Sequence, residues 1–265
     1  MSDEGRIEEE ALDETVAEDE PGNAADVVEE EMSPAPSHFS RLAIEGVIGV
    51  GKTSLCHLLA ERWDAALVLE EVEENPFLAA FYKDRQSHAF QTQLWFLLNR
   101  YRQLSEAGIQ QDLFHKITVG DYLFAKDRIF ATLNLDADEL GLYNHVAGIL
   151  EKQVANPDLV VYLQASTDVL VRRIAERGRS FEFSMEPAYI DALNDAYNHF
   201  FFHYDKTPLL VVNTDEIDFV AERADFEEIA AQIAATRRGV TYYRPLRTKE
   251  KAALRDRGRP EKKSG

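Results

Sequence analysis

The feature that most constrains this chain is a glycine-rich segment of eight residues between an apolar strand and an apolar-faced helix. Residues 46–53 read Gly-Val-Ile-Gly-Val-Gly-Lys-Thr and match the pattern GxxxxGK followed by Ser or Thr. Residues 41–45 are mostly apolar and predict a strand, whereas residues 54–63 carry apolar side chains at helical spacing. A glycine turn could match by chance, but the elements on either side favour a phosphate-binding loop.

The residue types of this loop suit a nucleoside triphosphate and its metal ion. Glycines let the backbone curl so that N–H groups point at phosphate oxygens, and the following helix adds the positive end of its dipole. Lys52 is expected to reach the β- and γ-phosphates and to act in catalysis, and the Thr53 hydroxyl to hold Mg²⁺. The predicted ATP-binding residues of this segment are Gly46, Val47, Ile48, Gly49, Val50, Gly51, Lys52, Thr53 and Ser54.

The net charge of −19 is concentrated at the N-terminus. Residues 1–32 contain fourteen Asp and Glu against Arg6 alone, so −13 of that charge lies there. The segment is poor in large apolar residues and cannot bury enough surface to offset its ordering entropy. We predict a disordered, solubilising tail over residues 1–38, with partner binding as the alternative.

Residues 39–240 are predicted to form one folded domain, and residues 241–265 a basic tail. The tail is short and mixed with acids, so nucleic-acid binding is not expected. No apolar run approaches the roughly 20 residues of a membrane span, so no membrane association is expected. The single cysteine, Cys56, is interpreted as a small buried residue and not as a nucleophile, which fits a reducing cytoplasm.

Strands and helices alternate along the predicted domain, which is typical of an α/β fold with a parallel sheet covered by helices on both faces. Apolar runs predict about five strands, at residues 41–45, 66–69, 117–120, 159–163 and 209–212. Helical patterns occupy residues 54–63, 87–104 with a stop near Gly108, 136–154, 167–176, 187–204 and 226–236.

Two acids stand at predicted strand ends, where open α/β sheets bind their ligands. Glu70 closes the second strand and could take a proton from a substrate hydroxyl, but it could equally be a solvated or helix-capping acid. Asp121 follows the third strand and fits a carboxylate beside Mg²⁺, and its position alone leaves the same alternative open.

Several arginines cluster near the end of the helix over residues 167–176. Arg172 and Arg173 precede Arg177-Gly178-Arg179. Cations near a helix C-terminus also favour the helix dipole. Beside a phosphate-binding loop, however, two arginines around a glycine favour a mobile lid that closes over developing charge.

These segments together resemble the deoxynucleoside kinases of the deoxycytidine, deoxyguanosine and deoxyadenosine kinase group, over about residues 42–213. The Glu-Asn-Pro-Phe and Asp-Tyr-Leu-Phe variants resemble the bacterial branch. Besides the phosphate-binding loop, the resemblance is carried by residues 69–72, 74–77, 81–84, 90–93 with Arg100, 120–122, 127–131, 162–165 and 177–179.

The resemblance implies an Arg-rich lid and a cytoplasmic homodimer. It also implies that ATP, with Mg²⁺, donates its γ-phosphate to the 5′-hydroxyl of a deoxynucleoside, preferably a purine, in nucleotide salvage. A nucleoside-monophosphate kinase and an ATP-binding regulatory subunit without turnover are the alternatives. The first would need further cations near the acceptor, where the sequence offers only Lys83 and Arg85. The second would be expected to lack Glu70 or the lid arginines, which are present.

The resemblance also implies roles for single residues. Glu70 matches the general base, and Tyr82 with Glu182 matches the pair that holds the sugar 3′-hydroxyl. The other implied sites are Gln93 for the base edge, Arg100 and Asp127 for completing the base pocket, Asp121 for Mg²⁺, and Arg173, Arg177 and Arg179 for the phosphates.

One departure from the family pattern affects the segment after Asp121. The family has an acid followed by Arg and Ser, whereas this chain has Asp121-Tyr122-Leu123. The arginine is missing, and either Lys126 or a lid arginine is a candidate to replace its contact.

Overall fold

A computed structural model describes residues 35–179, 182 and 185–245, without the side chains of residues 107–114. The predicted acidic tail lies outside the described residues up to residue 34, and the predicted basic tail lies outside them from residue 246. His38, which the prediction assigned to the acidic tail, places a ring nitrogen 2.9 Å from the carbonyl oxygen of Thr236. Phe39 beside it is buried.

The described residues form a six-stranded parallel sheet in the order β2-β3-β1-β4-β5-β6. The central pairing aligns Leu42 of β1 with Leu159 of β4. The strand β4 is a continuous Leu-Val-Val-Tyr-Leu run that is almost fully buried, as expected for a strand covered on both faces. The strands are β1 (Arg41–Gly46), β2 (Ala66–Val68), β3 (Thr118–Gly120), β4 (Leu159–Gln164), β5 (Leu209–Asn213) and β6 (Val240–Tyr243).

The edge strand β6 is the one strand that the sequence analysis did not anticipate. It pairs with β5 and crosses the predicted domain boundary at residue 240. Its residues alternate between exposed and half-buried, so it lacks the long apolar run by which the other strands were located.

Eight helices cover the sheet within the described residues. They are α1 (Lys52–Trp63), α2 (Leu78–Lys83), α3 (Arg85–Phe114), α4 (Lys126–Asn134), α5 (Ala137–Glu151), α6 (Thr167–Arg177), α7 (Pro187–Phe202) and α8 (Arg223–Ala235). None of them combines the length and apolar character needed to cross a membrane.

Helix boundaries follow local capping chemistry where the sequence supplies it. Asp136 caps α5, because its carboxylate accepts from the backbone N–H of Glu139 while the Glu139 side chain accepts from the backbone N–H of Asp136. The predicted stop of α3 near Gly108 was wrong, since the helix continues to Phe114. One glycine in a helix costs only about 1 kcal/mol, which the rest of a long helix can offset.

Candidate active site

The phosphate-binding loop joins β1 to α1 with glycines in backbone conformations that other residues avoid. Gly51 has φ 106°, and a Cβ atom there would lie 2.8 Å from the ring of Phe219. The Lys52 ammonium donates to the carbonyl oxygens of Gly46 at 2.8 Å and Val47 at 3.3 Å. Burial, reinforced by the positive charge of Lys126, lowers the pKa of Lys52 to about 8.

Asp121 connects the loop helix to the end of β2. Its Oδ2 accepts from the Thr53 hydroxyl at 2.7 Å, and its Oδ1 accepts from the backbone N–H of Glu70 at 2.7 Å. The described residues contain no cluster of three His, Cys, Asp or Glu that could hold a metal ion by itself. The Thr53 and Asp121 oxygens nevertheless fit Mg²⁺, which commonly takes few protein ligands together with water and substrate phosphates.

Glu70 lies just beyond β2 with its side chain 10% exposed. Its Oε1 accepts from the Arg100 guanidinium, and its Oε2 accepts from the Lys126 ammonium at 2.7 Å. Burial would raise the pKa of Glu70, but Arg100 and Lys126 outweigh that effect and lower it to about 2. Glu70 is therefore a charged carboxylate held from two sides, and the alternative of a solvated acid does not describe it.

The helix α3 presents a polar face to the same cleft. Gln93 is 2% exposed and makes no hydrogen bond through its amide within the described part of the chain. Arg100, two turns further along, pairs with Asp127 of α4 as well as with Glu70. Asp127 is almost fully buried and does not line the cavity. It therefore contacts Arg100 on the side that faces away from the cavity.

The residues proposed to hold the sugar come from α2 and from the segment after α6. Tyr82 and Glu182 line the same cleft as Glu70. Burial raises the pKa of Tyr82, and the nearby Tyr189 and Glu182 raise it further. Glu182 is buried and accepts from the Arg177 guanidinium, with the Nε contact at 3.2 Å.

The second arginine of the predicted lid, Arg179, pairs with an exposed carboxylate. Arg179 lies 3.5 Å from a carboxylate oxygen of Glu73, in a pair whose side chains are 37% and 71% exposed. Gly178 between the two arginines ends α6 with φ 68° in the left-handed region that favours glycine.

Two cavities adjoin at the phosphate-binding loop, and four residues line both of them: Lys52, Thr53, Arg177 and Arg179. The first, of about 540 Å³, contains Glu70 and Gln93 together with apolar side chains. The second, of about 470 Å³, contains the backbone from Gly49 to Ser54. The first cavity thus suits a ligand that has both apolar surface and hydrogen-bonding groups. The second cavity suits a phosphate chain.

Not every residue predicted to bind ATP lines the second cavity. Gly46 and Val47 instead face the Lys52 ammonium through their carbonyl oxygens. Arg173 does line it, but its guanidinium also donates to the Val50 and Thr214 carbonyl oxygens at 3.3 and 2.9 Å. Arg173 therefore ties the loop to the segment after β5.

The sequence analysis missed two groups in this region. Asp218, Phe219 and Val220 line the second cavity opposite the loop, and no motif marks them because they lie in an irregular segment after β5. Glu45, on β1, is fully buried and accepts from the backbone N–H groups of Gly46 and Leu123 at 3.0 and 2.6 Å. A lone acid in an apolar strand was the available signal for Glu45.

Sequence comparisons identify similar proteins among the deoxynucleoside kinases. The family model for deoxynucleoside kinases matches residues 42–237. The chain is similar to the deoxyguanosine kinase of Bacillus subtilis (strain 168), with 33% identity over 196 residues, covering 72% of this chain and 95% of the relative. It is also similar to the deoxyadenosine kinase of Lactobacillus acidophilus, with 32% identity over 206 residues, covering 72% and 94%.

Solved structures show the same likeness. The deoxyadenosine kinase from M. mycoides with bound dATP superposes with a TM-score of 0.64 and 28% identity, covering 74% of this chain and 100% of that one. The same enzyme with bound dCTP gives a TM-score of 0.61 and 27% identity, covering 72% and 97%.

Proposed function

This chain belongs to the deoxynucleoside kinase family, and we propose that it transfers the γ-phosphate of ATP to the 5′-hydroxyl of a purine deoxynucleoside in nucleotide salvage. The observation that carries the proposal is the meeting of two cavities at Lys52, Thr53, Arg177 and Arg179. Phosphoryl transfer needs donor and acceptor in line, with positive charge where they meet.

The chemistry assigned to the site follows from its charges. Glu70 lies in the first cavity, which we call the acceptor cavity, at its end nearest the loop. It orients the 5′-hydroxyl and accepts its proton as the new O–P bond forms. Lys52 and the lid arginines stabilise negative charge on the transferred group. Thr53 and Asp121 would hold Mg²⁺ beside the phosphates of ATP, and the ion would supply positive charge there.

Recognition of a purine is proposed from the inner wall of the acceptor cavity. Gln93 offers one donor and one acceptor face, so its amide can bond to a base edge at two points. Phe96 and Phe81 supply apolar surface beside it, and Arg100 adds a cation. The names of the two curated relatives described above, a deoxyguanosine and a deoxyadenosine kinase, favour a purine.

An ADP-release assay tests the function with each deoxynucleoside and each deoxynucleoside monophosphate as acceptor. We expect turnover with deoxyguanosine or deoxyadenosine at the highest kcat/KM. A preference for thymidine would contradict the base assignment. Turnover only with monophosphates would favour a nucleoside-monophosphate kinase, and ATP binding without any turnover would favour a regulatory subunit.

We propose that the chain forms a homodimer in the cytoplasm. Leu98 of α3 and Leu142 and Ile149 of α5 are 48%, 55% and 51% exposed, although α3 and α5 pack on each other. Leu142 and Ile149 lie seven residues apart and share one helix face. This apolar face suits a second copy of the chain. The proposed cytoplasmic location rests on a different observation, the single, buried Cys56.

Replacing Leu142 by Glu places a charge at the centre of that face. We expect the molar mass measured by light scattering to fall from that of two chains to that of one, because an unpaired charge is not buried in an interface. Val220→Glu, at an exposed apolar residue on another surface, is the control and should leave the mass unchanged. A wild-type protein with the mass of one chain would contradict the dimer.

A further inference from the structure

Lys126 occupies a place that is unfavourable for a lysine. It is the first residue of α4, where the helix dipole opposes a positive charge, and it is only 5% exposed. Removing a lysine from water is costly unless an anion compensates it. Its ammonium pairs with the carboxylate of Glu70, with Nζ and Oε2 2.7 Å apart. Burial and the helix dipole both disfavour the charged Lys126 side chain. Its position beside the proposed catalytic base therefore suggests a role other than stabilising the fold.

The ion pair with Glu70 does not by itself supply that reason. Arg100 already pairs with the other oxygen of Glu70. Lys126 also shares the acceptor cavity with the ammonium group of Lys52. Two ammonium groups that repel each other across one cavity form a site that an anion would stabilise. Both lysines line the acceptor cavity near its junction with the phosphate-binding loop.

The residue at the family's arginine position and the two lid arginines make other contacts. Tyr122, which stands where the family has an arginine, donates its hydroxyl to the Gln103 side chain at 2.9 Å. Arg177 pairs with Glu182, and Arg179 lies against Glu73. Of the two candidates that the sequence left open, Lys126 is therefore the one that contacts Glu70.

Building on the proposed function, we propose that Lys126 orients Glu70 and supplies positive charge to the acceptor oxygen and the phosphoryl group between Glu70 and Lys52. The 5′-oxygen forms its bond to the γ-phosphorus while the bond from that phosphorus to the departing ADP oxygen breaks. The hydroxyl proton passes to Glu70, and Lys126 stays protonated throughout.

The test compares Lys126→Gln with wild type in the ADP-release assay, with purine deoxynucleoside and ATP varied separately. Glutamine keeps a donor for Glu70 but removes the charge. We expect kcat to fall about 100-fold, the usual scale for loss of one preorganised charge-stabilising group, with the nucleoside Kd from calorimetry unchanged within about threefold. Lys206→Gln is the matched control, because Lys206 pairs with Glu151 on a more exposed surface and should keep wild-type kcat.

The pH profile separates this role from a merely structural one. Glu70 faces Arg100 from α3, Lys126 from α4, Lys52 from α1, Tyr82 from α2 and Asp121 after β3. Loss of Lys126 raises the pKa of Glu70 towards its ordinary value. Activity that requires ionised Glu70 is lost as pH falls through that pKa, so the acid limb of kcat/KM should move to higher pH in Lys126→Gln.

A second variant keeps the test decisive if Lys126→Gln does not fold. Lys126→Arg retains the charge with altered geometry, so its kcat should lie between those of wild type and the Gln variant, with unchanged nucleoside Kd. Wild-type kcat in folded Lys126→Gln overturns the role of Lys126 alone. Where the Gln variant does not fold, a kcat about 100-fold below wild type in folded Lys126→Arg overturns it, because the positive charge is still present. A wild-type protein without turnover overturns the proposed function and this inference with it.

Discussion

At the scale of single residues, Asp121 shows how carboxylates far apart in sequence come to serve one site. Its two oxygens accept from Thr53 and from the backbone of Glu70, so it fixes the loop helix and the end of β2 relative to each other. Glu70 can then keep one position while Arg100 and Lys126 hold its own oxygens. A base held in this way loses little orientational freedom on reaching the reactive geometry.

Glu70→Gln should remove proton acceptance while keeping the shape of the side chain. We expect kcat to fall by about 10²- to 10⁴-fold, the range for loss of a general base, and nucleoside binding to persist. The matched control is Glu71→Gln, since Glu71 pairs with Arg102 at the surface and should retain activity. Steady-state kinetics and calorimetry measure the two effects, and equal activity of Glu70→Gln and wild type would remove Glu70 from the mechanism.

At the scale of elements, the two arginines proposed as a lid at the end of α6 pair with carboxylates of different exposure. The partner of Arg177, Glu182, is buried, whereas Arg179 and Glu73 are both exposed enough for solvent to weaken their attraction. An exposed pair of this kind contributes at most about 1 kcal/mol, so Arg179 can leave Glu73 at little cost. Exchange of the Glu73 contact for a phosphate contact is therefore inexpensive for the proposed lid.

Arg179→Ala should lower kcat more than it raises the nucleoside KM. The reason is that a phosphate contact made mainly in the transition state affects turnover and not ground-state binding. A fall in kcat of at least about tenfold is expected in the ADP-release assay. Arg172→Ala, which removes an exposed arginine from the same helix, should behave as wild type. If the two variants were equally active, Arg179 would be only a helix-end charge.

At the scale of the whole molecule, the folded part begins within a few residues of the acidic segment. Phe39 is 5% exposed and contacts the ring of Trp63 edge-on at 6.0 Å, and Ser40 binds the Asp158 carboxylate. These contacts join the residues just before β1 to α1 and to the segment before β4.

Deleting residues 1–36 should leave Tm and kinase activity almost unchanged, because a segment of this composition adds no core. Deleting residues 1–39 should lower Tm by about 5–10 °C, since loss of one buried Phe costs about 3 kcal/mol or more. Calorimetry of the two truncations measures both shifts. A large drop in Tm for the shorter deletion would show that the acidic segment stabilises the domain.

Reasoning from the residues alone reached the parts of this site at strand ends, the resemblance supplied the residues on helices, and some parts made by packing were left open or missed. Glu70 and Asp121 follow apolar runs, and the carboxyl ends of parallel strands meet at one edge of the sheet. The sequence left Lys126 as one of two candidates, because its contact with Glu70 joins residues 56 apart and forms only in the folded chain. Phe219 and β6 lacked a motif and a buried apolar run respectively, so nothing local marked them.

The strand order has a consequence for how quickly activity returns after denaturation. The central strand β1 pairs with β3 and β4, which lie far from it in the sequence. Every neighbouring pair of strands is parallel, so each pair is joined by a crossover connection. Pairings between distant segments are slow to form, because the chain loses loop entropy before it gains contacts. The phosphate-binding loop emerges from β1, so nucleotide binding cannot appear early during refolding. Recovery of turnover should therefore follow the slowest step by which the sheet closes.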